Sequence, residues 1–496
     1  MALRLLSSST RLRSPARVLH RALAARFSSD AASSERLRIC IVGSGPAGFY
    51  SAKYLLKEHD DVFVDMLEAL PTPYGLVRSG VAPDHPEVKS VMNDFEKVAE
   101  DPRFDFLGNV RVGEDVLVDE LKQRYHAVLL AYGASGDRAL GIPGEDLNGV
   151  FSARAFVNWY NGHPAFRNLN PDLSVDTAVI FGQGNVAIDC ARVLTKSVEE
   201  LKKTDISQHA IDALSKSNIK KVYVVGRRGS AQAAFTMKEL REITKLDGVA
   251  FVVDPKNLDT GLNDASKAEI ADQRAKKRMH ELLTKAASDY ENASKAERQI
   301  QLLFLSSPVE FKEDSSRPGS VGTVLLEKTR LEGEANRQSA VGTGEFEELP
   351  SGLVLRSIGY KSQPLETVPF NSRRHVVSNE SGRVVSEDGK PVQGLYCSGW
   401  LKRGPSGIIG SNILDARETV SCIMEDVAKQ EMLQPINDEG LLAIRRLVEA
   451  RSPNKQFVTW RDVERLHSEE EKRGKAIGKP REKFTSVDEM LAILRQ

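Results

Sequence analysis

The chain has 496 residues, 41% of them hydrophobic and 28% charged, with 69 basic and 69 acidic side chains. At roughly 100–200 residues per domain that is room for about two to four domains. No stretch reaches the ~18 consecutive apolar residues of a membrane span, which excludes a spanning helix and leaves peripheral membrane association open.

The first 29 residues stand apart: six arginines (Arg4, Arg11, Arg13, Arg17, Arg21, Arg26), many serines and leucines, no lysine, and no acid before Asp30. Arg-rich, Ser-rich, acid-free composition, with Leu5, Leu12 and Leu19 available for one helical face, marks residues 1–34 as an organelle transit peptide, mitochondrial in preference to chloroplast because chloroplast peptides are usually less arginine-dense. Arg26-Phe27-Ser28-Ser29 has the look of a processing site. A disordered basic terminus is the plainer alternative. Without these arginines 63 basic residues face 69 acidic ones, a net charge of about −6. Such a body argues against general nucleic-acid binding but allows a local basic patch.

Residues 37–42 read as a buried strand, 43–48 as a Gly-rich turn, and the following stretch to about 58 as a helix. Further strands are expected at 62–67 and 127–131. The pattern restarts with a strand at 177–181, a second Gly-rich turn at 182–187 and a strand at 222–225. Residues 264–300, charged and rich in Ala and Lys, read as helical. Residues 312–322 and 331–346 read as surface hairpins or loops. Strands return at 353–358 and 394–398, and beyond about 430 the chain turns polar, with no chemistry to assign. Alternating strands and helices predict an α/β fold with two Rossmann-like units.

The first turn is Gly43-Ser44-Gly45-Pro46-Ala47-Gly48. Gly43 permits the tight turn, Gly45 lets backbone approach a pyrophosphate, and Gly48 allows close strand–helix packing. Free amides at the next helix start face the phosphates. Glu68 ends the second strand 20 residues after Gly48, where a carboxylate can accept from ribose hydroxyls. The second turn is Gly182-Gln183-Gly184-Asn185-Val186-Ala187, with alanine in place of the third glycine. The strand after it ends in Gly226-Arg227-Arg228 and carries no carboxylate at its tip. Paired arginines there can bind a 2′-phosphate by charge-assisted bonds, so the pattern reads as NADP(H). Two dinucleotides on one chain, one with a free ribose diol and one with a 2′-phosphate, imply FAD and NADPH, with hydride passing between the cofactors.

The cysteines Cys40, Cys190, Cys397 and Cys422 are far apart. They form no CxxC pair, no zinc set and no iron–sulfur ligand set, so no metal site and no dithiol relay are expected.

Long ordered motifs carry a family likeness: VGSGPAGFY (42–50), PYGLVRSGVAPDHPEVK (73–89), GVFSARAFVNWYNG (149–162), GQGNVAIDCAR (182–192), VGRRG (225–229), FTMKELRE (235–242), IGYKS (358–362) and LYCSGWLKRGPSGIIG (395–410). Together they resemble the adrenodoxin-reductase type of ferredoxin–NADP reductase over about residues 36–425. The resemblance implies an FAD domain split into 36–145 and 350–430, an NADP domain at 146–349 inserted between, and a helical extension at 431–496. It implies FAD contacts at Pro46, Ala47, Glu68, Leu76, Val112, Trp400, Gly407, Ile408 and Ile409. NADP(H) contacts are implied at Gly182 to Val186, Arg227, Arg228, Glu239 and Gly407. His85 and Asp189 match family residues near the flavin–nicotinamide contact and are the candidates for tuning proton or electron passage. A surface histidine and an aspartate bonded within its own helix are the plainer readings of the two.

The resemblance also implies a [2Fe–2S] ferredoxin as electron acceptor, in the mitochondrial matrix or on the matrix face of the inner membrane. Ferredoxins of this kind are acidic. Arg274, Lys276, Lys277 and Arg278 form a basic cluster on an expected helix, with Arg274, Lys277 and Arg278 sharing a face. Lys402 and Arg403 are a second candidate. A flavin monooxygenase and a non-catalytic NADPH-sensing module stand as alternatives, separated from a reductase by peroxide yield and by bound flavin.

Overall fold

The computed structural model describes residues 36–496; the basic leader lies outside the described residues. Residues 38–496 form one compact unit. It is built on two large sheets, one threaded through the other in sequence.

The first sheet has seven strands. In spatial order they begin at residues 379, 383, 391, 127, 37, 62 and 104. Leu37–Val42 pairs in parallel with Ala127–Leu130, Val62–Glu68 with Phe104–Gly108, and Pro391–Cys397 joins parallel to Ala127–Leu130. An antiparallel hairpin closes the edge. The inner strands Leu37–Val42 and Ala127–Leu130 are nearly continuous apolar runs because both faces of the sheet are buried there. Ile39, Cys40, Ile41, Val128, Leu129 and Leu130 are all fully buried.

The second sheet has six strands, beginning in spatial order at residues 150, 353, 177, 221, 299 and 250, and every pairing between them is parallel. All its strands fall between residues 150 and 356, so this Rossmann-like half is inserted between the two parts of the first. The boundary expected at 349/350 moves past Arg356, because Leu353–Arg356 pairs with Thr177–Phe181. A smaller antiparallel sheet, Ser306–Asp314, Arg317–Glu332 and Ser339–Pro350, grows from it.

Most expected elements appear within a residue or two of their places. The stretch 264–300 is broken into helices Asp264–Asp272, Arg274–Ala287 and Tyr290–Ala293, and its end enters the buried strand Gln299–Leu303. The polar residues 312–322 and 331–346 are turns and strand of the small sheet, whose outer strand is largely exposed and therefore lacks an apolar signature. The C-terminal segment forms helices Leu441–Arg451, Trp460–Ala476 and Val487–Leu494. Trp460 lies edge-on to Phe49, Tyr74, Phe104 and Phe106, which anchors that segment on the first half. All four cysteines are free and buried.

Candidate functional site

Each Gly-rich turn leaves an interior strand of its sheet and enters a helix, Pro46–Glu58 in one case and Asn185–Thr195 in the other. Gly43 has φ +104°, and a Cβ there would lie 2.7 Å from the Ala131 carbonyl oxygen of the neighbouring strand. Gly182 has φ +120°, and a Cβ there would run into the Ser357 carbonyl. Both positions therefore require glycine for conformation and for close approach. A Cβ at Gly48 would fall on the Gly43 carbonyl oxygen. Gly45 and Gly184 differ, since a Cβ at either would meet nothing within 4 Å. Space is thus held open over the second glycine of each loop, beside the free amides of a helix start. That is the shape a pyrophosphate needs.

The surroundings of the two loops are chemically opposite. Glu68 Oε2 accepts from the Ser44 amide at 3.1 Å and from Ser44 Oγ at 2.6 Å, while Oε1 accepts from the Leu70 amide at 3.0 Å. The carboxylate is thereby held against the first loop. Gly75 packs on the same loop, where a Cβ would lie 3.2 Å from Gly45 Cα, and this places Leu76 beside it. The Val110 amide donates to Glu68 O at 2.9 Å, bringing the 110–112 stretch with Val112 alongside. Gly399 is pressed against Ala47, so the turn from Trp400 through Gly407, Ile408 and Ile409 to the helix Ser411–Ala428 borders the loop from the other part of the split half. Trp400 is half-buried, 5.4 Å from the Tyr360 ring, and its indole N–H donates to Ser406 O at 3.1 Å.

At the second loop Arg227 and Arg228 are both exposed, and neither has an ion-pair partner among the described residues. The loop is tied to the segment after them: the Ala234 amide donates to Gln183 O and the Thr236 amide to Asn185 Oδ1, each at 2.8 Å. Thr236 caps the helix Met237–Ile243, which carries Glu239. A cavity of about 180 Å³ adjoins Arg228, lined also by Gln232, Lys276, Asn336 and Gln338.

His85 and Asp189 belong to one buried network between the halves. His85 is only 7% exposed and its Nε2 lies 2.7 Å from Glu242 Oε2. Arg192 is the hub. It bonds Asp84 at 2.8 and 3.0 Å and Asp189 at 2.7 Å, and sits 3.4 Å from Glu239 and 3.3 Å from Glu242. Burial alone would raise Asp84, but the bonds and charges of Arg192 and Lys196 hold its carboxyl well below the usual range. Burial outweighs Arg192 at Asp189 and raises it; burial and the charge of Asp189 raise Glu239. Two carboxyls pushed up and one pushed down within a single cluster is an arrangement suited to holding a proton. His85, Glu239 and Glu242 bring ligand atoms within 4.8 Å of one another, and the Arg192 guanidinium lies 3.4 and 3.3 Å from the two glutamates. The hub residues Arg192, Asp84 and Glu242 are not evident as a set in the sequence. Each lies inside a quoted motif, and Glu239 and Glu242 at i, i+3 were the available signal.

The basic cluster divides. Arg274, Lys277 and Arg278 are exposed on the helix Arg274–Ala287. Lys276 turns the other way and pairs at 2.6 Å with Glu269, which is 1% exposed. Burial would raise Glu269, yet Lys276, the Asn336 amide and Gln338 pull it down to about 2. The second candidate patch is overturned: Lys402 is buried against Glu418 and Arg403 is paired with Asp415, so their charge is neutralised within the fold.

Residues 37–256 match the model of the pyridine nucleotide-disulphide oxidoreductase family. The mitochondrial NADPH:adrenodoxin oxidoreductase of Arabidopsis thaliana is 47% identical over 96% of this chain and 99% of its own length. That of Homo sapiens is 48% identical over 92% of each. The chain belongs to the adrenodoxin-reductase family. The solved structure of Mycobacterium tuberculosis FprA in complex with NADPH superposes with a TM-score of 0.86 at 42% identity, covering 93% of this chain and all of that one. Family membership and the two loops together make this chain an FAD- and NADP(H)-dependent flavoprotein oxidoreductase.

Proposed function

We propose that the chain takes a hydride from NADPH onto FAD and passes the electrons singly to a [2Fe–2S] ferredoxin. The observation that carries this reading is the pair of open loops, with Glu68 fixed beside Gly45 and the unpaired Arg227 and Arg228 beyond Gly184. FAD, when bound, supplies an acceptor that takes two electrons together and releases them one at a time.

FAD is assigned to the half formed by 36–145 and 357–430, through Gly43, Gly45, Pro46, Ala47, Gly48, Glu68, Leu76, Val112, Trp400, Gly407, Ile408 and Ile409. NADP(H) is assigned to 146–356, whose last strand pairs with Thr177–Phe181, through Gly182, Gln183, Gly184, Asn185, Val186, Arg227, Arg228 and Glu239. The arginines bind the 2′-phosphate, Glu68 accepts from a ribose, and the Glu239, Asp189, His85 and Arg192 cluster holds the proton balance between the halves. Electrons have no cysteine route, since all four thiols are buried and free. Arg274, Lys277 and Arg278 form the exposed basic face that steers the acidic ferredoxin; Lys276 is excluded by its bond to Glu269. No helix among the described residues is long and apolar enough to cross a membrane. The Arg-rich leader and the mitochondrial names of the relatives support the mitochondrial matrix as the place of action.

The visible spectrum of the purified protein tests this first. It should be that of an oxidised flavin, bleached rapidly by NADPH and slowly by NADH, with colour returning when ferredoxin is added and little peroxide formed before that. A colourless protein, or one bleached equally by both nucleotides, refutes the reading.

A further inference from the structure

Between the two halves runs the segment 74–90, here called the bridge. It starts against the first Gly-rich loop, where the Tyr74 amide donates to Ser44 O at 3.0 Å. It ends against the second half, through Asp84 on Arg192 and Lys89 on Asp205. The C-terminal segment is bolted to this bridge and to the second half at once. Glu470, fully buried, takes Arg78 of the bridge in a two-pronged ion pair and accepts from the Phe484 amide at 3.0 Å. Lys483, also fully buried, reaches Asp205 Oδ2 at 3.1 Å and Asn161 O at 3.1 Å. Asp205 in turn receives Lys89 at 2.6 and 2.8 Å, and Asn161 donates to Val81 O of the bridge at 3.1 Å. Beside them Lys479 donates to Ile206 O at 3.0 Å, and Glu482 accepts from the Gln208 amide at 3.0 Å.

Buried ion pairs are a poor way to gain stability, because desolvation offsets most of their attraction and apolar side chains of similar size would do as well. What charged pairs impose is geometry. Here five buried polar side chains of the bridge and the C-terminal segment (Arg78, Lys89, Glu470, Lys479 and Lys483) converge where the chain must keep two halves in register. Two lysines share the single carboxylate of Asp205, and burial pushes Lys483 down to about 7.

We propose that residues 470–485 are a positioning element for hydride transfer: Lys483 and Glu470 clamp the bridge to the second half and so fix the spacing between the two dinucleotide loops. The inference rests on the NADPH-to-FAD reading above.

The test uses the holoenzyme with Lys483→Met and Lys483→Arg. Removing Lys483 leaves Lys89 and Asp205 as a balanced pair, so the fold is expected to survive. In Lys483→Met, FAD content and reduction by dithionite should match wild type, and NADP⁺ affinity by calorimetry should shift less than about threefold. The limiting rate of flavin reduction by NADPH should fall by roughly tenfold to a hundredfold, the scale of a misplaced reacting pair. Amide exchange across residues 74–90 should accelerate, and Lys483→Arg should restore both. Should Lys483→Met fail to fold, Lys89→Met cuts the same clamp from the bridge side with the same expectations. Wild-type reduction rates in the folded variant overturn the proposal, as does a loss shared equally by dithionite, which would mean damage to the flavin pocket rather than lost alignment. If wild type itself is not reduced by NADPH, it is the functional reading that fails.

Discussion

The two glycines Gly45 and Gly48 sit three residues apart and should respond to alanine in opposite ways. Gly45 has φ −76°, a value open to any residue, and a Cβ there would meet nothing within 4 Å. It caps the helix Pro46–Glu58, so Gly45→Ala loses about 0.5–1 kcal/mol as a cap and recovers a similar amount from the stiffer unfolded chain. The apoprotein should melt in denaturant within about 1 kcal/mol of wild type. The methyl group does, however, occupy the open space where a phosphate would receive backbone amides. Loss of one charge-assisted hydrogen bond, about 1.5–3 kcal/mol, predicts FAD binding weakened roughly tenfold to two-hundredfold. In Gly48→Ala the Cβ falls on the Gly43 carbonyl oxygen, and helix and strand must separate. Overpacking of that kind costs about 1–3 kcal/mol of stability in the apoprotein itself. Flavin-fluorescence titration and denaturant melts of the two apoproteins decide the matter. A Gly45→Ala protein that is as stable as wild type and holds FAD as tightly refutes the assignment of the loop. Gly184→Ala is the internal control, since it should weaken NADPH binding and leave FAD alone.

Replacing Arg227 or Arg228 by Leu should weaken NADPH binding by about 1.5–3 kcal/mol and leave NADH unchanged, narrowing the nucleotide preference measured by steady-state kinetics. Reversing Arg274, Lys277 and Arg278 to Glu should raise the ferredoxin KM and flatten its salt dependence, with NADPH oxidation by a small dye unaffected. Arg192→Met strands buried carboxylates and should cost about 3–5 kcal/mol in a denaturant melt. His467 stacks on Tyr74 at 5.5 Å, and burial together with Arg481 and Arg78 pushes it from 6.5 down to about 3. The unfolded chain therefore binds a proton that the fold refuses. Stability present above pH 6.5 is lost as the pH falls toward 3, by at most roughly 5 kcal/mol. His467→Phe should flatten that slope in melts between pH 6.5 and 4, leaving the smaller share of His163, which burial and Arg154 lower to about 4.

The α/β architecture was legible because parallel strands buried on both faces are continuous apolar runs, and the loops could be read because glycine is demanded by local geometry at Gly43, Gly48 and Gly182. The split of the basic cluster was not legible. Helical spacing puts Lys276 off the shared face of Arg274, Lys277 and Arg278, but only the fold supplies Glu269 from the preceding helix. Lys402 and Arg403 looked like a patch for the same reason, since Glu418 and Asp415 lie a helix away. Nothing local distinguishes Glu470 or Lys483 from the charged residues around them. Their partners Arg78 and Asp205 are hundreds of residues distant, and a polar segment that binds by ion pairs carries no apolar period to reveal it.

The four buried thiols have a consequence for wear. A reduced flavin leaks electrons to oxygen, so an enzyme of this class works beside the peroxide it makes. It is the thiolate, not the thiol, that attacks peroxide and is oxidised to sulfenic acid. Burial raises all four thiols, Cys397 to about 12 and Cys40 and Cys190 well above their ordinary value. At neutral pH the chain offers almost no thiolate to its own by-product, so its working lifetime should be set by unfolding or loss of flavin and not by sulfur oxidation.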